Sequence, residues 1–454
     1  MTLRNATARN TTSLEIISGA GIHAVDSEVS IVGCEFEDMF AEYWGAGIFS
    51  NRSHVVIHDT VFRRCASGDE PDPGDEGING AGGGVAVNFT NLLVDHCVFE
   101  DCYASKKAGS IQVANGNVTV SNSTFRNSRA GSVNKKSEEP IGEGGVFSTN
   151  DCAHEYMGNN GACVFEDCAF YNSSVGRKGG VAHISAGDIG TRIEFNRCLI
   201  VNARSGEDIE DDPQGEGGAF STSPEASLVV RDTNVRGAIV GKKGAAILLS
   251  SSWTESWDNP GGTAIIDNST FQDCVAQSSA GGVVYLNSFS TVNISGESGS
   301  FLGNSCGEGG GVLAATTDTR ITIDGGLFSG NEAAEDGGVI ESVGEVTILG
   351  GTFAGNTAGS AGGVWAISDG GANFTVEGGT FRGNTAEGSG GVGVIGKDTS
   401  VAINGGVFSG NSAGTGGVFA VDENGIFEVT GGTFANNEAI LGGFLYKEGG
   451  YTSC

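Results

Sequence analysis

Residues 350–365 read GGTFAGNTAGSAGGVW, and this stretch decides the fold. It returns as GGTFRGNTAEGSGGVG at 378–393, GGVFSGNSAGTGGVF at 405–419 and GGTFANNEAILGGF at 431–444. Each copy sets a phenylalanine and an asparagine between two glycine pairs. Working backwards, a small-small-aliphatic element opens a unit at Gly45, Gly83, Gly144, Gly179, Gly217, Gly281, Gly310, Gly337, Gly362, Gly390, Gly416 and Gly442. The last five spacings are 27, 25, 28, 26 and 26 residues; earlier ones stretch where segments are inserted.

Counting from the phenylalanine exposes the strand pattern. The landmark recurs at Phe36, Phe62, Phe99, Phe125, Phe170, Phe271, Phe301, Phe328, Phe353, Phe381, Phe408 and Phe434, with Ile200 and Val235 standing in twice. Seven and five residues earlier lie two more apolar positions, such as Val55/Ile57, Leu92/Val94 and Val346/Ile348, alternating with polar ones. A period of two means a strand with one face inward. Three residues after the phenylalanine comes Asn304, Asn331, Asn356, Asn384, Asn411 or Asn437; upstream the slot holds Cys65, Cys102, Ser128, Ser173 or Cys274.

A unit of about 25 residues is too short for a propeller blade of ~40–50, and a sandwich carries no such repeat. The reading that fits is an all-β, right-handed, single-stranded parallel β-helix of about fourteen coils, a three-sided spiral in which each coil pairs with its copies ~4.8 Å above and below. Phenylalanine then stacks on phenylalanine inside, asparagine forms an amide ladder at a bend, and the glycine pairs make the corners.

Composition bounds the partners. The chain has 454 residues, 78 of them glycine, and a formal charge of -31 from 55 acids and 24 bases. Nucleic acid and anionic membrane surfaces want a basic face, so neither is expected. No segment is apolar and long enough to span a bilayer, and residues 1–18 lack the apolar core of a signal peptide.

The glycine-pair and F-x-x-N elements resemble the repeats of the chlamydial polymorphic outer-membrane protein family, most closely from about Gly299 to Phe444. That resemblance implies a right-handed β-helix of the pectin-lyase-like superfamily, serving as a surface-displayed adhesin passenger carried by a C-terminal membrane barrel. No such barrel lies in these residues. Similar repeats also look common in large surface proteins of algae and other protists.

One solenoid is expected over 1–454, with irregular, cysteine- and loop-bearing coils over 1–298 and regular coils over 299–454. Three acidic insertions share a slot before the glycine pair: 66–80 with Asp69, Glu70, Asp72, Asp75 and Glu76; 129–143; and 204–216 with Glu207, Asp208, Glu210, Asp211 and Asp212. Equivalent slots line one edge of a solenoid, where insertions often build a binding face; the plainer alternative is tolerated, solvated loops.

There are 11 cysteines. Cys152 with Cys163 is the expected bridge. Cys65 with Cys102, and Cys168 with Cys198, occupy equal slots in neighbouring coils, within disulfide range or as small apolar ladder residues; Cys274 with Cys306 is a further candidate. Ten N-x-S/T sequons occur, at Asn5, Asn10, Asn51, Asn88, Asn117, Asn122, Asn172, Asn268, Asn293 and Asn373, an excess that favours a secretory route. Asn88, Asn117, Asn172, Asn268, Asn293 and Asn373 are the candidate glycosylation sites.

Catalytic constellations are hard to find. A lyase wants a carboxylate cluster and a cationic base, a glycosidase two facing carboxylates; the strands show neither. No Cys-x-x-Cys occurs and the six histidines are scattered, so no metal or cofactor is expected. GVGVIGKDT at 391–399 approaches a phosphate loop, but Asp398 stands where a hydroxyl belongs. The expectation is a non-enzymatic extracellular or cell-surface scaffold that binds a protein or carbohydrate through acidic loops, from a chain cut at both ends. The alternative is a carbohydrate-active enzyme using the loop-bearing coils.

Overall fold

A computed structural model of the chain describes residues 1–8, 18–68, 80–131, 142–150, 152, 162–185, 191–206, 215–251, 260–368 and 373–447, with the backbone of 452–453. Short strands recur four to a turn. One turn runs through Asn91–Asp95, Val98–Glu100, Tyr103–Ala104 and Ile111–Val113. All strands of one kind pair in parallel, so four sheets form, each collecting every fourth strand in chain order, fifteen strands per sheet. This is a right-handed parallel β-helix. The sheets are numbered here as in the order of that turn from its phenylalanine: first (Val98–Glu100), second (Tyr103–Ala104), third (Ile111–Val113) and fourth (Val118–Ser121).

The spiral is four-sheeted rather than three-sided. After each phenylalanine the chain turns through a left-handed residue, such as Asp101 (φ 55) or Asn127 (φ 53). Two more residues then pair, as Tyr103↔Arg129 and Ala104↔Ala130, before the chain leaves for the glycine corner. These two-residue strands have no alternation to read, so the sequence hides them. The glycine corner is explicit at Gly362: its φ is +70, and a Cβ there would stand 2.0 Å from the Trp365 carbonyl oxygen. Ala108 takes the same slot at φ 54.

The described chain divides into two compact units, Met1–Val229 with Ala238–Gly241, and Val230–Gly237 with Lys242–Cys454. The division falls well before residue 299. What changes near 299 is the side chain in the bend slots; four strands per turn continue on either side of it, the fourth-sheet strand shortening from five residues at Arg320–Asp324 to four at Glu345–Ile348.

In the first unit the register sets Phe36 on Phe62, Phe62 on Phe99, Phe99 on Phe125 and Phe125 on Phe170. Their ring centroids are 4.9, 4.6, 4.9 and 5.0 Å apart and nearly parallel. These rings are at most 1% exposed, and each contributes roughly 1.5–3 kcal/mol of burial. A strand slip of one residue would turn the whole column outward, so the stack also fixes register.

The second unit repeats this from Phe271 to Phe434 with centroids 4.6–5.4 Å apart. Beside it runs the amide ladder. Asn331 donates from Nδ2 to the Phe301 carbonyl (3.0 Å) and to Asn356 Oδ1 (2.9 Å). Its own Oδ1 accepts from the Asn304 backbone N–H and side chain (3.0 and 2.9 Å). All four side-chain hydrogen-bonding positions are filled in a site with no water access.

Candidate functional site

The third sheet presents an unusual outer face in the first unit. The middle residue of each strand points away from the core: Phe49, Ala86, Gln112, Ser148, His183 and Ser221. Yet all six are buried. In sequence, residues 69–79, 132–141 and 207–214 precede three of these strands and 153–161 and 186–190 follow two of them; all five segments lie outside the described residues.

At one end of this row lies a pocket of about 170 Å³ lined by Trp44, Phe49, Lys106, Lys107, Gln112 and Asn150, among others. The Trp44 and Phe49 rings are 5.9 Å apart and stacked. Trp44 stands in the slot before the glycine corner, so the geometry that sets Phe49 outward also brings the indole over it. Gln112 donates to the Val113 carbonyl (3.2 Å), while its Oε1 is buried without a partner. Lys107 Nζ lies 3.5 Å from Asn150 Oδ1 and 3.0 Å from Glu143. Aromatic faces, amides and ammonium groups converge here, the combination that holds a polyhydroxylated ligand.

Next to the pocket runs a column of alternating charge. The residue before each glycine corner is Lys107, Glu143, Lys178 and Glu216 in successive turns, each bridged in parallel to the next. Lys178 Nζ is 3.7 Å from Glu216. His183 Nε2 is 3.9 Å from Glu143, and its Nδ1 is buried and unpartnered. Burial pushes the His183 imidazole down to about 4, so it is neutral at pH 7. Burial works against the Glu143 charge, but the neighbouring His183, Lys107 and Lys178 more than offset it and hold the carboxyl below its usual range. A neutral imidazole beside a carboxylate is an acid–base pair in kind. Here His183 is only 4% exposed, and its register neighbours Ser148 and Ser221 are buried with unpartnered hydroxyls.

The second unit has a different site on the same sheet. Leu248, Ala280, Tyr285 and Ala314 form an apolar outer patch. Lys243 Nζ sits 4.4 Å over the Tyr285 ring. Lys243, Ala280, Tyr285 and Ala314 border a pocket of about 400 Å³ that also takes in Glu308 and Glu341. Burial, then Asp336, Glu308 and Glu335, raise the Glu341 carboxyl to about 7.

The acids expected to form a binding edge, Asp69, Glu70, Asp72, Asp75, Glu76, Glu207, Asp208, Glu210, Asp211 and Asp212, lie outside the described residues. Of the expected bridges, Cys152–Cys163 is formed, with Cα atoms 5.6 Å apart. Cys65 and Cys102, Cys168 and Cys198, and Cys274 and Cys306 are instead not joined by disulfides. Copies in one slot carry nearly parallel Cα–Cβ bonds, whereas a disulfide wants its two Cβ–S arms about 90° apart. Four of these thiols turn to a carbonyl of an earlier turn: Cys65 to Phe36 (3.6 Å), Cys102 to Phe62 (3.7 Å), Cys168 to Val120 (3.5 Å) and Cys198 to Phe165 (3.5 Å). Cys65 and Cys102 thus do, weakly, what the later asparagines do in the same slot.

Among the sequons, Asn172, Asn293 and Asn373 are exposed and Asn88, Asn117 and Asn268 half-buried. Asn88, Asn117 and Asn172 donate to amides one turn back, Asn51, Asn91 and Asn127.

Sequence reasoning passed over Trp44, Phe49, Gln112, His183 and the Lys107–Glu216 column. The signal was present: aligned on the glycine corner, the preceding residues read Trp, Ala, Lys, Glu, Lys, Glu. No helix among the described residues is long and apolar enough to cross a membrane. No family model, no curated protein and no solved structure matches this chain.

Proposed function

We propose that this chain is a non-catalytic surface scaffold that binds saccharide on the outer face of its third sheet. The observation that carries the reading is the Trp44–Phe49 pocket, with Lys106, Lys107, Gln112 and Asn150 around it. Flat aromatic rings suit the C–H faces of a sugar, and amide and ammonium groups suit its hydroxyls and carboxylates. At about 170 Å³ the pocket is smaller than the ~300–1,000 Å³ that enclose a whole drug-sized ligand, so it takes one residue of a longer glycan. The lysines favour an acidic sugar. Adhesion at a cell surface, the resemblance to polymorphic outer-membrane protein repeats, and a secretory route belong to the same reading.

The test is a glycan array with neutral, uronate-bearing and sulfated sugars, followed by titration. Binding to acidic glycans that drops at least tenfold in Trp44→Ala supports the reading. Binding that ignores Trp44→Ala, or none at all, ends it. The enzyme alternative has one structural foothold, Glu143 with His183 at 3.9 Å. Release of reducing or unsaturated ends from pectin or alginate, abolished by Glu143→Gln, would establish that alternative instead.

A further inference from the structure

We propose that His58, Asp95 and His96, with Asp59 at the margin, form a surface site for a divalent transition-metal ion of the zinc type. The group arises from register. His58 closes the fourth-sheet strand His54–His58, and Asp95 is its direct partner one turn on. The next residue in each turn, Asp59 (φ 50) and His96 (φ 52), takes the left-handed corner. One turn therefore offers His-Asp and the next Asp-His. Stacking places an imidazole beside a carboxylate in both columns.

The distances suit one shared ion. His58 Nδ1 and His96 Nδ1 lie 3.1 and 2.8 Å from the same oxygen, Asp95 Oδ2. His58 Nε2 is 3.1 Å from Asp59 Oδ2. One ligand atom from each of His58, Asp95 and His96 falls within 4.8 Å of the others. Donors bound at ~2.1 Å around a tetrahedral ion stand about 3.4 Å apart, so small side-chain rotations convert the cluster into a ligand set. The rings meet edge to face with centroids 5.5 Å apart.

A second observation sets this group apart from a chance surface ion pair. Asp95 Oδ1 is held from the following turn, accepting from Ser121 Oγ at 2.7 Å and Asn122 Nδ2 at 2.9 Å. That leaves Oδ2 aimed at both imidazoles, the outer-shell orientation that metal-ligating carboxylates receive. The bonds from Asn122 and Ser121, then His96, hold the Asp95 carboxyl well below its usual range. The three side chains are 35–55% exposed, open to an ion from solvent. Two imidazoles with one carboxylate select zinc, copper or nickel over calcium and magnesium, which want oxygen alone.

The full-length chain titrated with zinc chloride against a chromophoric chelator tests this. The expected result is one zinc equivalent, lost in His58→Ala and in His96→Ala and weakened roughly 10–100-fold in Asp95→Asn. His54→Ala leaves it intact, and calcium does not compete. The substituted side chains face solvent, and a thermal melt of each variant confirms folding. One equivalent of zinc still bound by the His58→Ala/His96→Ala double variant would overturn the proposal, as would failure of the unsubstituted chain to draw zinc from the chelator.

Discussion

The side-chain nitrogen of Asn356 donates to the side-chain oxygen of Asn384 across 2.9 Å, one turn further along the spiral. Asn356 also accepts from the backbone and side chain of Asn331 and donates to the Phe328 carbonyl. Asn356→Leu would strand the two Asn331 donors in a site without water. Each such orphan costs about 1–3 kcal/mol. The urea midpoint should fall by an equivalent of about 3 kcal/mol, and a midpoint within error of the parent would refute the ladder's importance.

The glycine corner gives a paired prediction. Gly362→Ala puts a Cβ 2.0 Å from the Trp365 carbonyl oxygen at φ +70, so it should destabilise the second unit by more than the ~1–2 kcal/mol of left-handed strain alone. Ala108, at φ 54, already carries that strain. Ala108→Gly should raise the melting temperature, by an equivalent of roughly 0.5–1 kcal/mol. A drop on Ala108→Gly would show that its buried methyl outweighs the backbone term.

Acid should loosen the first unit through His183. Burial lowers its pKa to about 4 from 6.5, so between those values the unfolded chain binds a proton that the folded chain refuses. Stability is therefore intact above pH 6.5 and drains as pH falls towards 4, by roughly 3 kcal/mol in total. Glu143, whose folded pKa lies below its usual 4.5, adds a loss in the same direction at lower pH. His183→Gln should flatten the slope of urea midpoint between pH 6.5 and 4; an unchanged slope would mean the histidine is hydrated.

The second unit should respond the opposite way. Glu341 is raised from 4.5 to about 7, so the folded state holds a proton that the unfolded state has already lost. This contribution is present below pH 4.5 and disappears as pH rises through 7. Glu341→Gln keeps the neutral shape at every pH. It should be more stable than the parent at pH 8 and match it at pH 4, read again as urea midpoints.

The thiols make the last prediction. Burial pushes Cys97 and Cys306 up to about 11 and 12; the neighbouring Cys102 thiol and burial push Cys65 up further. None should react with maleimide in the native chain at pH 7. Non-reducing peptide mapping should find the Cys152–Cys163 link and neither Cys65–Cys102 nor Cys168–Cys198; either of the latter would refute the free-thiol assignment.

The fold was legible because its signal is repetitive. Phe328, Phe353 and Phe381 stand 25 and 28 residues apart, and a parallel stack is the arrangement that buries every copy at once. Asn331 in its slot could be read as a ladder residue because an amide both donates and accepts, so copies one turn apart can bond to each other. The two-residue strands escaped because two residues show no period. The disulfide expectation for Cys65 and Cys102 failed because spacing reports that two thiols are neighbours, and says nothing of where each Sγ turns.

Periodicity along the chain was thus enough for strand, stacking and inward face, since these follow from which residues must leave water together. It was not enough for Trp44 beside Phe49, His183 beside Glu143, or His58 beside Asp95. Those pairs join residues of no repeating type, brought into contact when one turn is laid on the next. Their meaning depends on a few ångströms of side-chain direction and on exclusion of water, quantities that exist only once the spiral has closed.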